Sequence, residues 1–384
     1  MGCKVQISEI AKVKGGKRLP KGVHLQSKQN AHPYIRVRDF NCRTLELSDA
    51  FEYVDDETQK SIRQYIVSTG DVLVTIVGTI GLTAIVGQSL DGANLTENCV
   101  KISGLDSVDS EYLYYYLSSP FGQQEIARRT VGAVQPKLPI KNIRSMEIDY
   151  PTREERERIV ALLSLLDDKV EFNSRINDYL LELCAARYDD VRKDIADASN
   201  PKQGVLTDLV EVCYGKDHKK LADGAYPVYG SGGLMRHVEK YLNEGESVLI
   251  PRKGTLNNVM LVNGRFWTVD TMFYTKELME GAARYAYFIL NKMNLAAMNA
   301  GSAVPSMTVK ILSALPVILP SEELLAEMKS WSDPLFEQIR RNDRENKELS
   351  ALRNALLPKL MSREIDVSRI ELPNRLNNHF REDE

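Results

Sequence analysis

Pro151-Thr152-Arg153-Glu154-Glu155 and Pro320-Ser321-Glu322-Glu323 open two stretches of chain that match at a constant offset of 169 positions, from 151 to 320. Holding that offset, Leu166 falls on Leu335, Val170 on Ile339, Asn173 on Asn342 and Asn177 on Asn346. Leu180 falls on Leu349, Ala186 on Ala355 and Val191 on Leu360. A solenoid would recur every few tens of residues and at least three times. A single long repeat is instead a duplicated module, here a globular segment followed by a long helix. It gives one polypeptide the pseudo-twofold symmetry of a homodimer.

Outward from that stretch, steps of three and four residues trace a heptad seam. In the first copy it runs Leu163, Leu166, Val170, Asn173, Asn177, Leu180, Cys184, Arg187 and Val191. The second copy gives Ser332, Leu335, Ile339, Asn342, Asn346, Leu349, Arg353, Leu356 and Leu360. Asparagine on a seam costs stability but fixes register, because a slip buries an amide without its mate. At a rise of about 1.5 Å per residue the helix from Thr152 to Ala196 is expected to reach roughly 65 Å, longer than the ~34 Å of one turn of duplex DNA. Antiparallel pairing of the two helices places the two globular segments at opposite ends of a rod. Pro334, inside the second helix, is expected to delay or kink it.

The globular segments share a plan. In the first, Tyr34 to Arg38 alternates as a strand, putting Arg36 and Arg38 on one face. Gly70 to Val77 is a β-branched strand, Gly78 to Gly81 breaks it, and Leu82 to Val86 returns as a hairpin. Glu111 to Arg129 has helical spacing and a basic end. In the second, Gly245 to Ile250, Lys253-Gly254-Thr255 and Val259 to Val262 repeat strand, break and return, and Tyr285 to Met298 supplies the late helix. Both close on Gly, Val and Pro, at Gly132 to Leu138 and Gly301 to Met307. The expected class is α+β. Two mixed, strand-rich segments, 1–150 and 201–319, are separated by helical spacers at 151–200 and 320–365, and a polar tail covers 366–384.

Composition sets limits. Of 384 residues 43% are apolar and 27% charged, ordinary for a globular protein. Five scattered cysteines show no CxxC spacing and read as free thiols. No apolar run approaches the ~20 residues of a membrane span, so a soluble, cytoplasmic chain is expected. The net charge of −3 hides local basic clusters. Met1 to Arg43 carries ten Lys or Arg against two acids, and Lys216, Lys219, Lys220 and Arg252-Lys253 form two more. Such patches fit contact with phosphates at chosen spots. A pseudo-twofold body suits a nearly two-fold partner such as duplex DNA.

Further motifs carry a resemblance. Leu352 to Ile365, reading Leu-Arg-Asn-Ala-Leu-Leu-Pro-Lys-Leu-Met-Ser-Arg-Glu-Ile, is similar to the closing signature of the specificity subunits of type I restriction–modification systems. Pro151 through Asn177 resembles the central conserved region of that family. Tyr226-Pro227-Val228-Tyr229-Gly230-Ser231-Gly232-Gly233 resembles a stretch common in its target-recognition domains. The resemblance covers essentially the whole chain. It departs at Glu322-Glu323-Leu324-Leu325-Ala326, where the usual Glu-Gln-Arg-like start is missing, and in the shorter second recognition segment.

The resemblance implies a subunit that reads double-stranded DNA and docks two methyltransferase subunits, with two ATP-driven restriction subunits joining the full complex. It implies no cofactor, no metal and no catalysis by this chain. The residues agree: no phosphate loop, Asn-Pro-Pro-Tyr/Phe motif or His-Glu-x-x-His pair occurs, and His24, His32, His218, His237 and His379 stand apart. Candidate DNA contacts in the first domain are Lys17, Arg18, Lys21, Arg36, Arg38, Gln135 and Lys137. In the second they are Lys219, Lys220, Tyr229, Arg252, Lys253 and Asn257. Arg and Lys serve phosphate or guanine, and Asn257 or Gln135 suits adenine. The rival readings are a self-sufficient DNA-modifying enzyme and a coiled-coil scaffold without DNA contact.

Overall fold

The computed structural model describes residues 3–298 and 306–370. They form two compact units: Met1–Phe172 with the chain from Glu345 onward, and Asn173–Arg344. The division falls inside both long helices. Each unit therefore holds one globular segment, the first half of the helix that follows it, and the second half of the other copy's helix.

The first unit runs β1 (Cys3–Gln6), α1 (Ile7–Ile10), β2 (Lys12–Gly15), β3 (Pro33–Ile35), β4 (Thr44–Leu45), β5 (Glu52–Tyr53), α2 (Asp56–Ile62), β6 (Val72–Thr75), β7 (Thr83–Val86), β8 (Asn94–Leu95) and β9 (Cys99–Ser103). Then come α3 (Ser107–Ser118), α4 (Pro120–Arg129), α5 (Ile140–Arg144), β10 (Glu147–Tyr150) and α6 (Arg153–Ala196). The second has β11 (Gln203–Val205), β12 (Val210–Tyr214), β13 (Tyr226–Gly230), β14 (Gly233–Val238), β15 (Asn243–Glu244), β16 (Ser247–Pro251), β17 (Met260–Val262), β18 (Arg265–Thr268) and β19 (Met272–Glu277). It continues through α7 (Ala282–Asn291), α8 (Val309–Ser313), β20 (Pro316–Ile318) and α9 (Glu322–Met361).

The duplication is written into the strand order. In the first unit the sheets are β1-β10, β2-β9-β6-β7-β4 and β5-β3-β8. In the second they are β11-β20, β12-β19-β16-β17 and β14-β13-β18-β15. Strand for strand these orders correspond, except that β4 lengthens one sheet in the first unit and β15 another in the second. From α5 and α8 onward the 169-residue offset holds in the coordinates: α5 begins at 140 and α8 at 309, β10 at 147 and β20 at 316, α6 at 153 and α9 at 322.

The central strand of each unit shows why it reads as unbroken apolar sequence. All of β6 and all of β16 are buried, and their side chains alternate between two cores, as a period of two requires. Val72 and Val74 face the core shared with α3 and the long helices, while Leu73 faces a smaller one with Ile35, Ala84 and Val86. Val248 and Ile250 pair the same way against Leu249.

Several expectations are corrected. Strand β3 ends at Ile35, because Arg36 starts a 3-10 turn at Val37–Asp39 whose backbone is held by Asp39, so Arg36 and Arg38 do not share a strand face. The Glu111–Arg129 helix is two helices: Ser119 is extended, caps α4 through Gly122, and precedes Pro120, which excludes helical backbone before it. The late helix of the second unit stops at Asn291, with a separate 3-10 turn at Leu295–Met298. Helix α9 starts at Glu322 and runs unbroken for 40 residues through Pro334, which is exposed. The seam shifts by one residue in places: Tyr188, Phe336 and Leu357 are buried, where Arg187 is exposed and Leu335 and Leu356 are half-buried. The tail does not start freely: Val367 is buried in the first core, and Arg158 donates to its carbonyl at 3.2 Å. The remainder of the tail and residues 301–305 of the second closing stretch lie outside the described residues.

Both units show α6 and α9 antiparallel. In the first, Arg158 meets Val367, Asp167 meets Arg353 at 3.3 Å and Lys169 meets Glu345 at 3.5 Å. In the second, Asn177 meets Asn342 at 2.7 Å and Tyr188 meets Ser332 at 3.4 Å. Of the other seam positions, Leu166, Val170, Leu180, Ile339, Asn346 and Leu349 are half-buried and Asn173 is buried.

Ionic groups fasten each globular segment to its helices. Arg43 pairs with Asp168 of α6 and with Glu111 at 3.4 Å, and donates to the Tyr115 hydroxyl at 3.2 Å. Tyr115 in turn donates to Asp167 at 2.9 Å. Burial raises the Glu111 carboxyl to about 7, with Asp168 and Asp167 adding to the rise and Arg43 opposing it. In the second unit Arg284, 1% exposed, grips Glu246 with two bonds of 2.9 and 3.0 Å and reaches Asp333 of α9 at 2.6 Å. Its face lies 4.6 Å from the centre of the Phe336 ring.

Candidate nucleic-acid interface

The corresponding edges of the two units are built alike, and basic side chains gather there. After β2 the backbone passes so close to β8 that a Cβ on Gly16 would sit 2.0 Å from the Thr96 carbonyl oxygen. After β12 a Cβ on Gly215 would sit 2.0 Å from the Val269 carbonyl oxygen. Only glycine permits either crossing. The next residue is a lysine in both copies. The Lys17 amide donates to the Leu95 carbonyl at 2.8 Å, and the Lys216 amide donates to the Thr268 carbonyl at 2.9 Å. Both lysine side chains are exposed.

A second equivalence joins the central strand to the closing stretch. The Leu138 amide donates to the Ile76 carbonyl at 3.0 Å, and the Met307 amide donates to the Arg252 carbonyl at 2.9 Å. Beside these bonds, Val77 bridges to Lys137 and Lys253 bridges to Ser306. Each bridge carries one exposed lysine, contributed by opposite sides in the two units. Position is kept while sequence is not.

The first unit's remaining candidates differ in availability. Arg18 pairs with Glu97 at 2.6 Å, and Lys17 Nζ stands 5.6 Å from the Tyr65 ring centre. Lys21 is exposed on a turn, and Gln135 is exposed beside Lys137. Arg36 and Arg38 converge on Glu52, the latter at 2.8 Å. Asp39 beside them is raised to about 6, chiefly by burial and also by Glu52, against the pull of Arg38.

In the second unit the fold brings Tyr229, Arg252 and Lys253 toward one loop cluster. The Tyr229 carbonyl accepts from the Val269 amide at 3.0 Å, and its half-buried ring packs on the smaller core. Arg252 lies over Tyr214 at 5.1 Å and donates to the Asp270 carbonyl at 2.8 Å. Gly254 takes φ +83° against Ser231, whose carbonyl accepts from Asn258 at 2.8 Å. The Gly230 to Gly233 run is thus the turn of the β13–β14 hairpin, buried at Gly230 and open at Gly232. Asn257 is already engaged: its amide donates to Asn294 at 3.2 Å and its oxygen accepts from the Ala296 amide at 2.9 Å. Lys219 and Lys220 are exposed farther along the loop, where Asp217 accepts from the Lys219 amide at 3.0 Å.

Two features escaped the sequence reading. Lys216, grouped there only as part of a basic cluster, is the structural equivalent of Lys17. Helix α6 also exposes a second apolar series: Leu165 and Phe172 in the first unit, Ile176, Tyr179 and Leu183 in the second. The spacing of 7, 4, 3 and 4 was available as a signal, parallel to the seam that was read. At the matching positions α9 has Pro334, Arg341, Glu345, Glu348 and Leu352.

Among the described residues no group of three His, Cys, Asp or Glu is placed to hold a metal ion, and no helix is long and apolar enough to cross a membrane. A profile of the type I restriction modification DNA specificity domain matches residues 3–182 and 202–349. The chain is 23% identical over 382 residues to the type I restriction enzyme MjaIX specificity subunit of Methanocaldococcus jannaschii, covering 88% of each chain. It is 24% identical over 277 residues to the EcoprrI specificity subunit of Escherichia coli, covering 66% of this chain and 67% of the other. In fold it is similar to the solved S subunit of a type I restriction-modification system from M. genitalium, with a TM-score of 0.57, 17% identity and coverage of 94% and 96%. With two matched segments on a duplicated α+β frame, the chain belongs to the type I restriction–modification DNA specificity family, as a non-catalytic subunit that recognises DNA.

Proposed function

We propose that the two recognition domains read the two unlike halves of one bipartite DNA target, and that the long helices set the gap between them. The observation that carries this reading is the duplicated edge, with Lys17 and Lys216 at one equivalent point and Lys137 and Lys253 across the other. Lysine at a fixed backbone position neutralises phosphate and sets orientation. The loops around it diverge between the copies, as different base sequences require. Lys17, Lys21, Gln135 and Lys137 on one side, and Lys216, Lys219, Lys220 and Lys253 on the other, are the contacts of first choice. Arg18, Arg36, Arg38, Arg252 and Asn257 rank below them because the side chain of each is tied to a neighbour.

The partners follow from the same reading. Methyltransferase subunits dock on the helices, for which the exposed apolar series of α6 is suited. Restriction subunits join through them, and the complex works in the cytoplasm. The test is methylome sequencing of cells carrying this chain with its methyltransferase. Two unlike half-sites at a fixed spacing are expected; a single contiguous motif refutes the reading. Methyl transfer by the purified chain alone would install the self-sufficient enzyme in its place.

A further inference from the structure

The closing loop of the first recognition domain has a feature that neither its fold nor the lysine edge uses. Val131 and Lys137 exchange both backbone hydrogen bonds, each 2.8 Å, and so close a loop over Gly132 to Pro136. Gly132 takes φ +98°, and a Cβ there would lie 2.7 Å from the Gln135 carbonyl oxygen, so the loop doubles tightly on itself. Its base is fixed: Lys137 bridges to Val77, and the next residue, Leu138, is wholly buried. At its tip Val134 is 100% exposed, and Val131 is 51% exposed. A β-branched apolar side chain held on a closed loop without intramolecular contact gives the folded chain nothing.

The surroundings are basic. The Asn142 amide donates to the Arg129 carbonyl at 2.7 Å, which draws the end of α4 and the start of α5 to the foot of the loop. Between Phe121 and Met146 the chain carries Arg128, Arg129, Lys137, Lys141 and Arg144 against one acid, Glu125. That acid is engaged by Arg128 at 3.0 Å and Arg129 at 3.3 Å. Lys137 and Lys141 are exposed and have no ion partner among the described residues. One apolar side chain is far too small to anchor a protein interface, which needs about 800 Å² per partner. It is the right size for a thymine methyl group in a groove lined by phosphates.

Resting on the recognition reading above, we propose that residues 131–137 form a finger that enters a DNA groove. Val134 meets the apolar edge of a base, Gln135 beside it is available to a neighbouring base, and Lys137 and Lys141 sit on the flanking phosphates. Val134 is then a specificity-determining residue for one half-site.

The experiment uses the full complex with its methyltransferase subunits and compares Val134→Ser, Lys137→Ala and Lys141→Ala with the parent. Val134→Ser is expected to relax one base position in one half-site and to weaken binding on the order of tenfold, the cost of losing two buried methyl groups, with the salt dependence unchanged. Each lysine variant is expected to keep the motif while the slope of log K against log salt falls by about 1. Unaltered motif and affinity in Val134→Ser overturn the finger and leave the recognition reading standing. Loss of methyltransferase subunits from the Val134→Ser complex also overturns it, by making the tip a protein contact. A parent complex without sequence preference overturns the recognition reading itself, and the finger with it.

Discussion

Asn342 donates its side-chain amide to the Asn177 oxygen at 2.7 Å, and both residues are buried. In the repeat, Asn342 is the counterpart of Asn173, not of Asn177. The bond therefore crosses the duplication, as two antiparallel copies of one helix require. It also makes register a matter of hydrogen bonding: displacing either helix by one turn would strand an amide against aliphatic neighbours.

Asn342→Ala is expected to destabilise the chain by about 1–3 kcal/mol, the cost of leaving a buried polar partner unsatisfied. The double change to leucine at 177 and 342 should recover most of that loss while loosening register. Urea denaturation measures the first effect. Cysteine cross-linking between the helices measures the second, and a single cross-linked register in the double variant would contradict it.

Arg284→Met leaves Glu246, whose side chain is 7% exposed, without its counter-ion. A loss of about 3–5 kcal/mol is expected, the usual consequence of breaking one side of a buried pair. Lysine should not restore it, since the guanidinium serves Glu246, Asp333 and Ser332 at once. Denaturation midpoints of R284M, R284K and R284M/E246L test this, with the double variant the most stable of the three.

Glu111 predicts a pH dependence. Its carboxyl sits at about 7 in the folded chain against 4.5 ordinarily, mainly through burial. A value raised on folding means stability that is complete below about 4.5 and lost as pH rises through about 7. Glu111→Gln should flatten the stability profile across that window. A profile of unchanged slope would place the titration elsewhere.

Tyr179→Asp and Leu183→Asp should weaken methyltransferase docking on α6, each by an amount of order 1.5–3 kcal/mol, or roughly tenfold to a hundredfold. Both side chains are more than half exposed, so melting temperature should hold. Co-purification that survives both changes would move the docking surface off this face.

Replacing residues 1–150 with the corresponding segment of another family member should alter one half of the methylated motif and leave the other intact. Methylome sequencing reads the result directly. Alteration of both halves would mean that the domains do not read independently.

The large-scale plan was legible because duplication leaves a constant offset, and helices with a seam tolerate no insertions. From α5 and α8 to the starts of α6 and α9 the elements keep the offset seen in the sequence, while along the helices the seam shifts by one residue at Tyr188, Phe336 and Leu357. Local breaks were harder. Pro120 was a visible breaker, yet the helical spacing on both sides of it suggested one element. Pro334 suggests a helix that is delayed or kinked, but α9 starts at Glu322, ahead of it, and an exposed face leaves the freed carbonyl to water so that the helix continues. At the candidate interface, local charge is enough to single out Lys17 and Lys137. The kinship of Lys17 with Lys216, and the exchange of sides between Lys137 and Lys253, required strand pairing.

The lysine that follows each close glycine has a backbone carbonyl that must be satisfied. In one domain the Tyr34 hydroxyl donates to Lys17 at 2.7 Å, and in the other the Trp267 indole donates to Lys216 at 2.8 Å. The two donors come from different strands, β3 and β18. What the two halves share here is a backbone acceptor in need of a donor, answered by a different side chain in each. A graft that transplants one loop must therefore bring its own aromatic clasp, or the lysine carbonyl beneath it will be left without a donor.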